Sequence, residues 1–374
     1  MSGIHFSARL SLGERCPQPP RGLGKGLRYA APRVPFEPLA RRKTNVIRVV
    51  AQFKICDVIH AQGGSAVAAD VVAATSGPLV EDSIERMMRA AAGLGLLHCT
   101  ADGDKLRFSN TPQGELLRAD HPQSVRAGIL WESAPQMQRT WADGVLDFCR
   151  TGKEQWRVGM SAHPDTDKDA FDAVMNNPDW PISVGEAFAA IGRMGLAEIA
   201  SCEPLLDLLK TKSTICDLGC GGGNLLHTLL AAAPHLQGTQ FDRPETIERL
   251  VVPSELAGRV STVAGSFFDK VPEGMDVYTM KLILHDWHDA ECISILETIK
   301  KSMKPGATIL VFDHQVHDDD QAEAGKFMDL HMGVVVGGRE RSRAQLTRVV
   351  EAAGLKVTDV LPTKGEYWVV VIEA

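Results

Sequence analysis

No stretch of this 374-residue chain approaches the roughly 20 consecutive apolar residues that cross a bilayer. A spanning helix is therefore not expected, and the chain reads as cytoplasmic with no membrane partner. An excess of positive charge is also missing: 40 Lys and Arg stand against 47 Asp and Glu, a formal charge of −7. A nucleic-acid partner calls for a clustered basic surface, so none is expected. No CxxC pair occurs among the eight cysteines, Cys16, Cys56, Cys99, Cys149, Cys202, Cys216, Cys220 and Cys292. Scattered in this way, they read as reduced thiols of an intracellular protein.

What is present is ordinary globular material, 44% hydrophobic and 23% charged, in a chain long enough for two domains. Residues 1–43 stand apart, with nine Lys or Arg against two acids and several prolines. They show no helical periodicity and read as a disordered tail; an Arg-rich, acid-poor composition also suits an organelle transit segment or a misplaced start. Residues 44–120 carry three helical patterns, "NVIRVVAQFKICDVIHA", "AVAADVVAATS" and "VEDSIERMMRAAAGLGLL", then a hairpin turning at Asp102-Gly103. Three helices and a β-wing describe a winged helix. A DNA reader would place Arg, Lys, Asn or Gln on its third helix, whereas this one opens with Glu81, Asp82 and Glu85 and continues with Met87 and Met88. Protein contact, as a homodimer through apolar surface such as Met87 and Met88, is the expectation, and a cofactor-sensing DNA regulator the disfavoured alternative. Residues 121–209 read as a helical connector. From residue 210 strands alternate with helices, the mark of a parallel, doubly wound α/β sheet, and the last two strand patterns lie close enough to form an antiparallel hairpin at one edge.

In "ICDLGCGGGNLLHTLL", Ile215–Leu218 read as a buried strand, Gly219–Gly223 as a turn and Leu225, Leu226, Leu229 and Leu230 as the apolar stripe of a helix. Ligands of open α/β sheets sit beyond the carboxyl ends of the strands, against helix N–H groups. A dinucleotide turn wants a third small residue where this chain has Asn224; the spacing is instead Asp217, Gly219, Gly221, Gly223. An acid just before the turn suits a cationic amine and would repel a pyrophosphate. Asp242, ending the next strand, can accept bonds from both hydroxyls of a ribose. Ammonium, carboxylate and ribose together describe S-adenosylmethionine.

Downstream, "KLILHDWHD", "KPGATILVFD" and "GGRERS" follow "DLGCGGG" and "FDRPETIE". With these motifs the chain resembles the plant-type small-molecule O-methyltransferases, the family that includes caffeate, flavonoid and acetylserotonin methyltransferases and bacterial polyketide-tailoring relatives. The resemblance runs from about Phe53 onward and is strongest after Asp217. It implies a Rossmann-like class I methyltransferase sheet behind a winged-helix dimerisation domain, S-adenosylmethionine as cofactor, no metal, and a small aromatic hydroxyl-bearing substrate. By motif position it places the catalytic base on His285, two orienting acids on Asp313 and Glu340, and a lysine near the cofactor's methionine end on Lys281. A histidine base suits the chemistry, because it can take the proton of a hydroxyl that is neutral at pH 7. Where the family usually has an acid for the adenine amine, this chain has Ser266, followed by Phe267. Substrate walls are expected from Trp131, Phe171, Met175 and Trp180 in the connector and from Met328 and Met332. Methylation of nitrogen or carbon, or non-methylating chemistry on a polyketide, is the alternative within the same fold.

Overall fold

The computed structural model describes residues 40–159, 182–320 and 324–374. Helices α1 (Ala40–Gln52), α2 (Ile55–Ala61), α3 (Ala68–Ala74) and α4 (Glu81–Gly93) precede the hairpin β1 (Leu97–Asp102) and β2 (Lys105–Asn110). The first helix begins at Ala40, so Ala40–Lys43 belong to it and not to the tail. Asp102 pairs with Lys105, which makes Gly103 and Asp104 the turn residues. Gly103 supplies the positive φ, 61°, that such a two-residue loop needs. Ile55, Ile59, Met88 and Phe108 are fully buried in one apolar cluster beneath these elements. Met88 is 0% exposed and so packs inward; only Met87 stays half-buried on the outer side. Adjacent residues on a helix point about 100° apart, so one of the two had to turn into the core.

The helices α5 (Pro112–Glu115), α6 (Arg126–Glu132), α7 (Pro135–Thr151), α8 (Trp156–Gly159), α9 (Val184–Gly192), α10 (Leu196–Ala200) and α11 (Glu203–Leu209) connect the hairpin to the sheet. They are more than a bridge, for Trp131, Met137, Val184 and Ala187 form a small apolar cluster of their own with Val335.

The sheet domain comprises β3 (Thr214–Leu218), α12 (Asn224–Ala232), β4 (Gln237–Asp242), α13 (Pro244–Ile247), β5 (Val260–Ala264), β6 (Val277–Lys281), α14 (Asp289–Ser302), β7 (Thr308–His314), α15 (Ala324–Val335), α16 (Arg343–Ala352), β8 (Lys356–Pro362) and β9 (Tyr367–Glu373). Strand order is β5-β4-β3-β6-β7-β9-β8, parallel as far as β7 and antiparallel for the last two. Side chains alternate between two cores: Ile309 and Val311 of β7 enter one cluster and Leu310 and Phe312 the other. Covering on both faces is what allows the strands to be apolar throughout. The expected edge hairpin is present, with its later strand innermost. Composition explains the order, since "YWVVVI" buries every residue between two neighbours, whereas "KVTDVLP" is mostly exposed and takes the edge. Strand order reverses between β3 and β6, and a crevice at such a switch point is where a ligand binds.

Candidate active site

The turn after β3 is held from below. Gly219 N–H donates to Phe241 O at 2.8 Å, and Gly221 N–H donates to Asp242 Oδ2, also at 2.8 Å. Gly219, Gly221 and Gly223 have φ of 69°, 52° and 77°. Two kinds of constraint are mixed here. A Cβ on Gly223 would collide with Gln240 Nε2, so that glycine is required by packing, while a Cβ on Gly221 would meet nothing within 4 Å. Gly221 is therefore the point where the turn offers bare backbone to an incoming molecule. The turn is tied to the connector by Asn224 Nδ2, which donates to Ala189 O at 3.0 Å.

Asp242 lies half-buried at the rim, its second oxygen accepting from Arg243 N–H at 2.7 Å. Asp217 is placed differently from the sequence expectation: it is 2% exposed, lies beneath the turn, and accepts from Thr279 Oγ1 at 2.8 Å. Burial, reinforced by Asp242, raises its carboxyl to about 7. In this arrangement it ties β3 to β6, and Asp242 is the acid at the rim. Ser266 Oγ accepts from Phe268 N–H at 3.2 Å, closing the turn after β5. Phe267 and Phe268 pack edge-on against Trp287 at 6.1 and 4.8 Å, so Phe267 stands in a half-buried aromatic cluster. Lys281 ends β6 with Nζ 4.6 Å from the Tyr367 ring centroid and 3.4 Å from Gly192 O. Burial lowers its ammonium to about 8 against the opposing pull of Asp217 and Asp313.

Leu282, with φ 56°, breaks β6 and throws the chain into the short 3₁₀ turn Leu284–Asp286. His285 is 8% exposed on that turn. The "GGRERS" segment presses on it: Arg339 N–H donates to His285 O at 2.8 Å, and a Cβ on Gly338 would occupy the place of that carbonyl. Arg341 fastens the turn, donating to Leu284 O and Trp287 O at 2.8 Å and to Asp289 Oδ1 at 2.7 Å. Glu340 is thereby brought under the imidazole, with Oε1 2.7 Å from His285 Nδ1. Asp286 Oδ1 lies 3.6 Å from Nε2, beyond a hydrogen bond. Burial alone would lower His285, but Glu340, Asp286 and Asp313 raise it to about 10. The same pairing holds Glu340 well below the usual carboxylate range.

Asp313 does not join this pair as the resemblance implies. No hydrogen bond links it to His285 among the described residues, and its Oδ1 is buried without a partner. Burial beside ionised Glu340 raises its carboxyl to about 6, so it acts on His285 through space only. The next residue takes the place at the acid: His314 Nδ1 lies 2.9 Å from the same Glu340 Oε1. His314 belongs to no motif, although strand alternation, which sends Asp313 and His314 to opposite faces of β7, is a signal that could single it out.

Of the expected substrate walls, Trp131 is buried in the connector cluster and meets Phe188 edge-on at 5.8 Å. Met332 is buried and Met328 half-buried on α15. Phe171, Met175 and Trp180 lie outside the described residues. A polar pair went unnoticed in the sequence beside this wall: His331 Nε2 is 4.0 Å from Glu132 Oε2, and Trp141 Nε1 donates to His331 Nδ1 at 3.3 Å.

A glycine turn at the switch point of a 3-2-1-4-5 parallel core, an acid ending the second strand and an inserted antiparallel last strand define a class I methyltransferase sheet behind a helical dimerisation domain. Family profiles agree: one described as an O-methyltransferase domain matches residues 171–356, and one described as an O-methyltransferase dimerisation domain matches 39–120. The chain belongs to the plant-type O-methyltransferase family, with its bacterial polyketide-tailoring members, and is an S-adenosylmethionine-dependent O-methyltransferase. Among its relatives is the 2,7-dihydroxy-5-methyl-1-naphthoate 7-O-methyltransferase of Streptomyces carzinostaticus, 30% identical over 84% of this chain and 90% of that one. The 8-amino-8-demethylriboflavin N,N-dimethyltransferase of Streptomyces davaonensis is 28% identical over 87% and 90%. A solved O-methyltransferase from neocarzinostatin biosynthesis, in complex with S-adenosylhomocysteine and 1,4-dihydroxy-2-naphthoic acid, is 29% identical with a TM-score of 0.64, covering 88% of this chain and 95% of that one.

Proposed function

We propose that this enzyme methylates a hydroxyl of an aromatic small molecule and that His285 is its general base. The observation that carries the proposal is the buried His285–Glu340 pair, at 2.7 Å, on the turn leaving β6, the strand beside the glycine turn of β3. The residues present fit the cofactor: Gly221 offers bare backbone, Asp242 offers a fixed carboxylate for the ribose hydroxyls, and the Ser266–Phe267 turn flanks the adenine side. When bound, S-adenosylmethionine supplies an electrophilic methyl group. Asp217, held by Thr279 below the turn, supports the turn's position and leaves direct ligand contact to Asp242 and the backbone.

The task left to the chain's own residues is a proton. A phenol with pKa near 10 is only about one part in a thousand ionised at pH 7, a deficit of about 4 kcal/mol. With Nδ1–H donated to Glu340, the lone pair of His285 sits on Nε2, the nitrogen free to face an acceptor hydroxyl. Raised to about 10, this imidazole matches a phenol closely, so a proton passes between them at little cost. The same elevation means that the free enzyme holds the imidazolium at neutral pH. Turnover of a neutral phenol is expected to climb with pH well past 6.5, where an ordinary histidine would already have levelled off.

Radiolabelled methyl transfer to a panel of phenols, anilines and aliphatic alcohols tests the function, with a gel shift on random duplex DNA alongside. Transfer to phenols is the expected result. Labelled anilines with unlabelled phenols would favour nitrogen methylation, the reading that the aminoriboflavin relative supports, and a DNA shift without methyl release would sink the enzyme reading. The dimerisation profile over 39–120 supports a homodimer. Light scattering on the full-length protein at micromolar concentration is expected to return twice the 40.5 kDa chain mass; a monomer would refute it.

A further inference from the structure

Glu340 is the point at which the site departs from a simple base-and-acid pair. A single oxygen, Oε1, receives two imidazoles, His285 Nδ1 at 2.7 Å and His314 Nδ1 at 2.9 Å. All three side chains are buried, at 8%, 4% and 2% exposure for His285, His314 and Glu340. The other carboxylate oxygen, Oε2, has no hydrogen-bond partner among the described residues. One ionised oxygen can accept two bonds, so both contacts are satisfied only when each ring carries its proton on Nδ1. His314 is then a donor to Glu340 and cannot be its competitor for a proton.

His314 is also the member of the three that sits on a strand. It ends β7, pairs in register with Tyr367 of β9, and lies 4.7 Å from the Tyr367 ring at 41°. Lys281 Nζ lies 4.6 Å from the centroid of that same ring. Glu340, by contrast, comes from the irregular segment between α15 and α16. Without a contact to a strand, a carboxylate on such a segment has several rotamers available and loses entropy when it is held in one. The second acid implied by the resemblance, Asp313, makes no such contact.

We propose that His314 is a positioning residue for methyl transfer: by donating Nδ1–H to Glu340 it locks the carboxylate that fixes the tautomer and direction of His285. The inference rests on the reading of His285 as general base. The charged and titratable groups around the pair are Asp286 on the turn of His285, Asp313 and His314 on β7, Arg341 beyond Glu340, and Asp329 on α15. Removing the His314 donor leaves the charge of Glu340 undivided toward His285. The imidazolium is then favoured further, so the acid limb of the rate profile moves to higher pH.

The test compares His314→Phe, which keeps a ring against Tyr367 but loses the donor, with His314→Asn, whose amide N–H can stand near the place of Nδ1. In the Phe variant kcat at pH 7 is expected to fall about tenfold, with unchanged S-adenosylhomocysteine affinity by calorimetry and an acid limb displaced upward. The Asn variant is expected to restore the wild-type limb. A Phe variant with the wild-type limb and kcat, or an Asn variant as impaired as Phe, overturns the proposal. If neither variant folds, ¹⁵N-histidine spectra of the wild type decide: both rings should carry a proton on Nδ1, His285 with a second on Nε2 while it is the imidazolium, and a His314 protonated on Nε2 alone would refute it. His285, His314 and Glu340 also lie close enough, within 4.8 Å, to hold a metal ion; wild-type activity abolished by a chelator and restored by zinc would replace the hydrogen-bond reading. His285→Gln separates the two levels, because full turnover in that variant removes the base itself, whereas a dead His285→Gln beside an unaffected His314→Phe removes only this inference.

Discussion

Replacing His285 with glutamine is expected to lower methyl transfer to a neutral phenol by about 10²- to 10⁴-fold, the range usual for loss of a general base. Cofactor affinity should be unchanged, because the imidazole stands on the turn after β6, whereas Asp242, the acid proposed for the ribose, ends β4. The deficit should shrink as pH approaches the acceptor's own pKa and for acceptors already ionised at pH 7. Glu340→Gln should cost less, and it carries a sign. Since the Glu340 carboxylate raises His285, its removal moves the acid limb to lower pH even as orientation is lost. Asp313→Asn should move the limb in the same direction by a smaller amount, because Asp313 acts through space. Steady-state rates from pH 6 to 10 with one neutral and one pre-ionised phenol are the measurement. Full turnover of a neutral phenol by His285→Gln would mean that proximity alone drives the reaction.

The second large effect is expected at Asp242. Its carboxylate has two structural duties, accepting from Gly221 N–H at 2.8 Å and from Arg243 N–H at 2.7 Å, and it is placed to accept from ribose hydroxyls. A hydrogen bond to a charged group contributes about 1.5–3 kcal/mol. Loss of two such bonds in Asp242→Ala corresponds to roughly a hundredfold or more in affinity for S-adenosylhomocysteine. Calorimetry reads this directly. Asp242→Asn, which retains an acceptor at one position, should fall between the two. Equal affinity in the alanine variant would withdraw the ribose assignment and return attention to the backbone of the turn.

Much of the sheet is legible because buried parallel strands are written as unbroken apolar runs: "TICDL" and "ATILVFD" each match a strand to within a residue, while the apolar run "DVYTMKLIL" continues three residues past the end of β6. The His285–Glu340 pair was legible through motifs, not spacing: 55 residues separate the partners, and only the fold closes that distance. Three departures from the expected placement share a physical origin, the direction in which a side chain leaves its element. Met88 is expected on the surface, but its helical position points it to the core. Asp217, expected toward the ligand, is buried, because the last residues of a central strand are still roofed by the turn above them. The motif carries Asp313, but neighbours on a strand face opposite ways, and it is His314 that bonds to Glu340. Glu132 and His331 were invisible for another reason, since α6 and α15 lie almost 200 residues apart in the chain.

The order of the last two strands has a consequence for biosynthesis. Tyr367, the ring shared by Lys281 and His314, belongs to β9, which is the last element in chain order yet slots between β7 and β8. On the ribosome, the glycine turn, His285 and Glu340 all emerge before it. Until β9 inserts, β7 keeps an open hydrogen-bonding edge and His314 lacks the ring it rests on. A chain that lacks β9 can therefore gather the residues on the β3–β4 side of the sheet without completing the His285 side, and the support of His314 waits on the insertion of β9.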